Sequence, residues 1–231
     1  VGMTDDALGF GSEARHVVYS VRDISRDLES MRNFEKVRIL ETMGRNAGWL
    51  AAAAGALMEE EKCIICLPEQ KISLKSMADE VRERLKSQET LVVVVSEGLR
   101  NEKGESIVPP IFKTDRAVYY GDVSAYLAEL VIKKLGIKAR SEKPGLCGRA
   151  SMALQSEVDR KEAILVGREA VKAATEGKTG VMVGIRRTSG EAYQIETPLI
   201  PIEEVMLHER IMPEEYINER GNDITEHFVQ W

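Results

Sequence analysis

Met43-Gly44-Arg45 is the first place in this sequence where residue types and spacing suit a chemical task. It follows a short apolar run, Val37 to Thr42, that reads as a buried strand, and precedes a stretch from Asn46 to Met58 that reads as a helix. A glycine at such a junction lets the backbone approach a ligand closely. The helix that follows would offer unpaired N–H groups and the positive end of its dipole to an anion. Arg45 adds a planar, permanently charged fork suited to phosphate oxygens. On these residues alone, a plain strand–helix connection with a solvated arginine fits equally well.

Other candidates are weaker one by one. Glu97 follows four consecutive valines and sits between Ser96 and Gly98, where a carboxylate can accept hydrogen bonds from sugar hydroxyls or simply cap a turn. Arg140 and Arg149 flank Pro144-Gly145-Leu146-Cys147-Gly148; two arginines about a glycine-rich turn can clamp a terminal phosphate, although surface arginines are more often solvated. Cys63 and Cys66 have a Cys-x-x-Cys spacing, but both lie in an apolar strand with no second ligand pair, so they read as core residues. His16, His208 and His227 are isolated and show no metal spacing, and no Ser-His-Asp set suggests itself. There is no Walker phosphate loop, and Gly9-Phe10-Gly11 is too short for a dinucleotide fingerprint.

The elements that must position these residues alternate. A helix is expected over residues 11–32 with Ser12 as its N-cap. Strands are expected at Val37–Thr42, Cys63–Leu67 and Leu91–Val95, and a helix at Leu74–Lys86. Residues 99–116 read as an excursion or short hairpin. Tyr119–Leu135 reads as a helix closed by Gly136, and Ile137–Arg140 as a strand. A helix at Val158–Thr175, strands at Gly180–Ile185 and Tyr193–Glu196, and short helical pieces at 202–207 and 213–218 complete the chain. The class is α/β, a three-layer open and mostly parallel sheet with helices on both faces. In such sheets ligands bind beyond the carboxyl ends of the strands. Met43-Gly44-Arg45, Pro68-Glu69 and Ser96-Glu97-Gly98 all follow strand ends, and so share one edge.

Composition sets the outer bounds. The 231 residues are 43% hydrophobic and 30% charged, enough for a real core. The net charge of -6 argues against nucleic acid as a partner, and makes a few well-placed arginines matter more than the total. No segment has the apolar length of a membrane span and no signal peptide is evident. Three cysteines suit a reducing cytoplasm better than a disulfide framework. The chain opens on Val1 without a methionine, as a fragment or processed chain would.

Taken in order, the motifs resemble the 6-phosphofructokinase family. Met43-Gly44-Arg45-Asn46-Ala47-Gly48-Trp49 is similar to its "MGRxxGW" turn, Pro68-Glu69 to its "PE", and Ser96-Glu97-Gly98 to its "(A/S)EG". Thr4-Asp5 with Gly9-Phe10 resembles its "TD…GF", and Gly145 to Arg149 stands where the family has "G(H/Y)xQR". The resemblance implies phosphoryl transfer from ATP or pyrophosphate to the 1-hydroxyl of fructose 6-phosphate in glycolysis, with Mg2+. It implies that Met43, Gly44 and Arg45 contact the sugar phosphate, with Arg45 also stabilising the charge of the transferring group. It assigns Glu97 to sugar hydroxyls, Arg149 to the 6-phosphate, and Arg140 to a neighbouring subunit's substrate in a homo-oligomer, dimer or tetramer. The opening and the Pro213-Glu214-Glu215-Tyr216 tail look closer to the pyrophosphate-dependent subgroup.

Three residues depart from the family pattern. Lys36 replaces an interface arginine and loses the bidentate fork; Leu146 replaces a histidine or tyrosine; Gly148 replaces a glutamine. The family's catalytic aspartate lies in a "TxDND" segment upstream of the match, as do the donor site and the magnesium carboxylate, so this chain alone is expected not to catalyse. The organisation implied is a helix over 1–35 leading in from a donor domain, a fructose 6-phosphate-binding domain over 36–149, a helix and strand over 150–190 packing on the donor domain, and a C-terminal piece over 191–231. The face of Val158–Ile185 is then left open or covered by oligomerisation. The departures and the missing base keep two other readings open: a non-catalytic sugar-phosphate-binding or regulatory subunit, and an unrelated nucleotide-binding α/β protein.

Overall fold

The computed structural model describes residues 7–56, 63–114, 118–190, 192–206 and 208–231. Thr4-Asp5 lies outside them. The chain divides into two compact units, one of His16–Gly148 with Met212–Trp231, the other of Val1–Arg15 with Arg149–Ile211. Helix α1 (Phe10–Ser30) contains the first boundary, and the stretch read as one C-terminal piece, 191–231, is divided at Ile211/Met212.

The larger unit is built on four parallel strands in the order β2–β4–β1–β8, where β1 is Val37–Thr42, β2 Cys63–Cys66, β4 Leu91–Ser96 and β8 Ala139–Glu142. Two minor strands, β3 (Lys71–Ile72) and β5 (Arg100–Asn101), pair beside it. A strand sends successive side chains to opposite faces, and the core follows that alternation. Val37, Ile39, Ile64, Cys66, Val93 and Val95 pack on one side under helices α3 (Leu74–Ser87) and α4 (Val123–Leu135). Leu40, Cys63, Ile65, Val92 and Val94 pack on the other, under Val17, Val21 and Leu28 of α1 and the alanines of α2 (Trp49–Ala53). Each such buried Val, Ile or Leu contributes about 1.5–3 kcal/mol. The three-layer parallel architecture is therefore as expected.

The C-terminal residues close the second face. Trp49, Tyr216, Phe228 and Trp231 form one aromatic cluster, the two indoles 4.9 Å apart between ring centroids. The buried Arg38 ties α1 to the sheet through the exposed Asp27. Arg38 donates to Glu35 at 2.8 and 3.0 Å, to Asp27 at 2.9 Å and to Glu142 at 3.0 Å. Burial lowers the affinity of this guanidinium for its proton, but Glu35, Asp27 and Glu142 outweigh that, and its pKa rises.

Four expectations are corrected. The helix expected over Asn46–Met58 is shorter: α2 begins at Trp49 and passes into a 3-10 turn at Ala54–Ala56, with residues 57–62 outside the description. Gly55 lies so close to Ile224 that a Cβ would sit 2.5 Å from it. The helix expected from Tyr119 begins at Val123, because Val118–Tyr120 is strand β7, antiparallel to β6 (Pro110–Lys113). Aromatic and β-branched residues suit a ladder, and Gly121-Asp122 separates ladder from helix. The strand expected at Ile137–Arg140 is shifted to Ala139–Glu142, since Gly136 takes a left-handed φ of 66° to end α4 and two residues bridge to the sheet. Ser12 lies inside α1 and does not cap it; its hydroxyl accepts from Ser156 N–H at 2.8 Å instead.

That last contact belongs to the smaller unit, which contains α6 (Glu157–Thr175); helix α5 (Leu146–Arg149) holds the second boundary, between Gly148 and Arg149. There β9 (Val181–Val183) pairs with β12 (Leu199–Pro201), and β10 (Arg186–Arg187) with β11 (Ile195–Glu196); α7 spans Ile202–Val205. Asp159 accepts from Ser12 N–H at 2.6 Å, which fixes the start of α1 to α6. Val158, Ile164, Leu165 and Val171 of α6 are exposed.

Candidate active site

The parallel register aligns Thr42 with Ser96, so β1 and β4 end side by side and release their turns at one edge. Two glycines make those turns interlock. Gly44 holds φ +132°, and a Cβ there would lie 2.5 Å from the carbonyl oxygen of Ala47. At Gly98 a Cβ would lie 1.6 Å from the carbonyl oxygen of Arg45, so only glycine permits this approach. The Ser96 hydroxyl donates to the Gly44 carbonyl, Glu97 N–H donates to Thr42 O at 3.0 Å, and the Glu97 carboxylate accepts from Gly44 N–H at 3.3 Å.

Beside these turns lies a cleft of about 330 Å3. It is lined by Arg45, Asn46, Glu97 and Gly98 from the two turns, by Arg100 and Ser106, by residues 118–121, and by Glu41 and Lys143. The structure thus brings Arg45 and Glu97 together. Arg45 is exposed and makes no hydrogen bond or ion pair among the described residues. Lys36, Met43, Arg140, Leu146 and Arg149 are not among the lining residues. Arg140 is ion-paired with the fully buried Glu35, and Leu146 and Arg149 are exposed on α5.

The helix N-terminus was expected directly after Arg45, yet Gly48 N–H, the first donor of α2, is held by Glu69 at 3.0 Å. The same carboxylate oxygen accepts from Met212 N–H at 2.9 Å. Glu69 therefore already supplies the negative charge at that helix end, and an anion in the cleft must rely on the cationic side chains that line it.

Sequence reading missed Glu41, Asn46, Arg100, Tyr119, Tyr120 and Lys143. Glu41 is an acid within an apolar strand, a signal that was available. It accepts from Ser124 N–H at 2.9 Å at the start of α4 and pairs with Lys143 Nζ at 2.9 Å. Lys143 also pairs with Asp122. Burial pulls the Lys143 ammonium down, while Asp122 and Glu41 more than offset that, so its pKa is raised. Magnesium, implied by the resemblance, finds no group of three or more His, Cys, Asp or Glu among the described residues, and Glu41 and Glu97 are engaged elsewhere. These residues do not fit a magnesium site.

A family model described as Phosphofructokinase matches residues 1–174. The chain belongs to the phosphofructokinase family. A sulfofructose kinase of Alkalicoccus urumqiensis is 39% identical over 94% of this chain and 57% of its own length. A pyrophosphate--fructose 6-phosphate 1-phosphotransferase of Xanthomonas campestris is 34% identical over 98% of this chain and 56% of its own. Among solved structures, the pyrophosphate-dependent phosphofructokinase of Nitrosospira multiformis superposes with a TM-score of 0.84 at 31% identity, covering 99% of this chain and 55% of that one. The chain thus spans about half the length of the relatives it matches.

Proposed function

We propose that this chain forms the acceptor-binding half of a phosphofructokinase that transfers a phosphoryl group to the 1-hydroxyl of fructose 6-phosphate. The observation that carries the reading is the pairing in one cleft of Arg45, a cation with no protein partner among the described residues, with Glu97, held by the same turn. Arg45 would neutralise phosphoryl oxygens, and the free oxygen of Glu97 would accept from sugar hydroxyls. Such reactions are catalysed mainly by positioning and charge. Met43 and Gly44 shape the turn in this reading. Arg149 takes the 6-phosphate, and Lys36 and Arg140 serve a subunit contact in a cytoplasmic homo-oligomer. Several relatives carry pyrophosphate in their names, which favours pyrophosphate over ATP as donor. The donor and magnesium sites are assigned to sequence beyond the matched half of the relatives.

A second reading of the acceptor is sulfofructose, in which a singly charged sulfonate stands in place of the 6-phosphate. Leu146 and Gly148 remove two side-chain partners where the family pattern has a histidine or tyrosine and a glutamine, and a sulfonate needs fewer donors than a phosphate dianion. Calorimetry with fructose 6-phosphate and sulfofructose in parallel separates the two. Arg45→Ala is expected to abolish binding of the true acceptor with the fold intact, and unchanged affinity would overturn the site.

A further inference from the structure

Arg100 has no role in the reading above, yet it is the more firmly held of the two cleft arginines. Its backbone pairs with Lys71 in β3 and with Ser106 across the following turn. That turn is fixed by the Asn101 side chain, whose oxygen accepts from Lys103 N–H at 2.9 Å and Glu105 N–H at 3.0 Å. Arg100 Nη1 donates to Gly104 O at 3.2 Å and Nη2 to Asn46 Oδ1 at 3.0 Å. Both acceptors are neutral, so the guanidinium is oriented without being neutralised.

The remaining charges of the cleft sharpen the point. Lys143 is matched by Glu41 and Asp122, and Glu97 accepts from a backbone N–H. Glu97 keeps its negative charge, and Arg45 and Arg100 are two guanidinium groups lining the same small cleft without an ion pair among the described residues. Only two of the five donors of Arg100 need go to the protein, which leaves others for oxyanion oxygens.

We propose that Arg100, preset by Asn46, is a second anion-binding residue that works with Arg45 on one oxyanion of a phosphorylated ligand. The inference rests on the reading of this cleft as the ligand site. A purely structural arginine, there only to fasten the 101–105 turn, makes a different prediction for Asn46→Asp. That substitution keeps an oxygen acceptor and adds a carboxylate, so it would preserve or strengthen a fastening role. It would neutralise Arg100 and weaken an anion-binding one.

The test is calorimetric titration of the 231-residue chain with inorganic phosphate, pyrophosphate and fructose 6-phosphate, each melting temperature being recorded in parallel. Arg100→Ala and Asn46→Asp are each expected to weaken at least one of these anions about tenfold, the loss of one charge-assisted contact. Arg82→Ala, removing an exposed arginine paired with Asp79 on α3, should leave affinity unchanged. A loss confined to pyrophosphate assigns Arg100 to the transferring phosphoryl group, and a loss that includes fructose 6-phosphate assigns it to the acceptor's own phosphate. The proposal is overturned if Asn46→Asp binds all three anions as wild type does, or if wild type binds none. Fructose 6-phosphate binding that needs Arg45 but not Arg100 defeats this inference alone. Arg100-dependent phosphate binding with no affinity for the sugar defeats the acceptor reading instead.

Discussion

Gly98 and Gly167 have the same side chain and opposite roles. A methyl at Gly98 would fall 1.6 Å from the Arg45 carbonyl, so Gly98→Ala must push the two turns apart. A destabilisation of roughly 1–3 kcal/mol in urea melts, with weakened acceptor binding, is expected. Gly167 lies exposed within α6 with open space where its Cβ would go, and Gly167→Ala should stabilise by roughly 0.5–1 kcal/mol without altering binding. The turn residues were legible because their types sit at a strand end, where geometry gives few alternatives. Arg100 and Lys143 were not, since a lone cation on a polar loop looks like solvated surface until its partners are seen. Sequence could not show that Arg140 would pair with Glu35, because residues 105 positions apart meet only through the β1–β8 register.

The strands were legible as elements for the same reason that they are buried on both faces: apolar runs too short for helices alternate between two core layers. Cys63 and Cys66, three apart, therefore point to opposite sides of the sheet, each in a different core layer. Burial, with Glu80 adding to it, pushes the Cys66 thiol up to about 12, and burial drives Cys63 up as well. Cys147 is exposed. A thiol reagent at pH 8 should thus modify one cysteine quickly in the native chain and all three after unfolding, as counted by intact mass.

The start of α4 was misread because Glu41, eighty-three residues away from Ser124, supplies its cap and holds Lys143. Local sequence carries no trace of such a cap. Lys143 has a folded pKa above its ordinary 10.5, so its contribution to stability is complete below that pH. It is lost as pH rises through the raised value. The melting temperatures of wild type and Lys143→Met should therefore differ at every pH below 10.5 and converge only as pH rises past the raised value, as thermal melts across pH would show.

At the scale of the molecule, α/β class and family were both readable, while the membership of the last twenty residues was not. Their place with the sheet depends on aromatic contacts spanning most of the chain. Val158, Ile164, Leu165 and Val171 lie exposed on α6, and exposed apolar side chains of this kind promote association. The chain is expected to self-associate with rising concentration in sedimentation velocity, and Val171→Glu should shift it towards monomer. The aromatic cluster has a practical meaning of its own. Both tryptophans of the protein, Trp49 and Trp231, stand in that one cluster, four residues beyond Arg45 in the first case and at the chain's end in the second. Intrinsic fluorescence is therefore a private channel to the sheet-bearing unit. It will report a ligand's arrival at the neighbouring turn, or the peeling away of the C-terminus, while unfolding of the tryptophan-free unit leaves no direct signature in it.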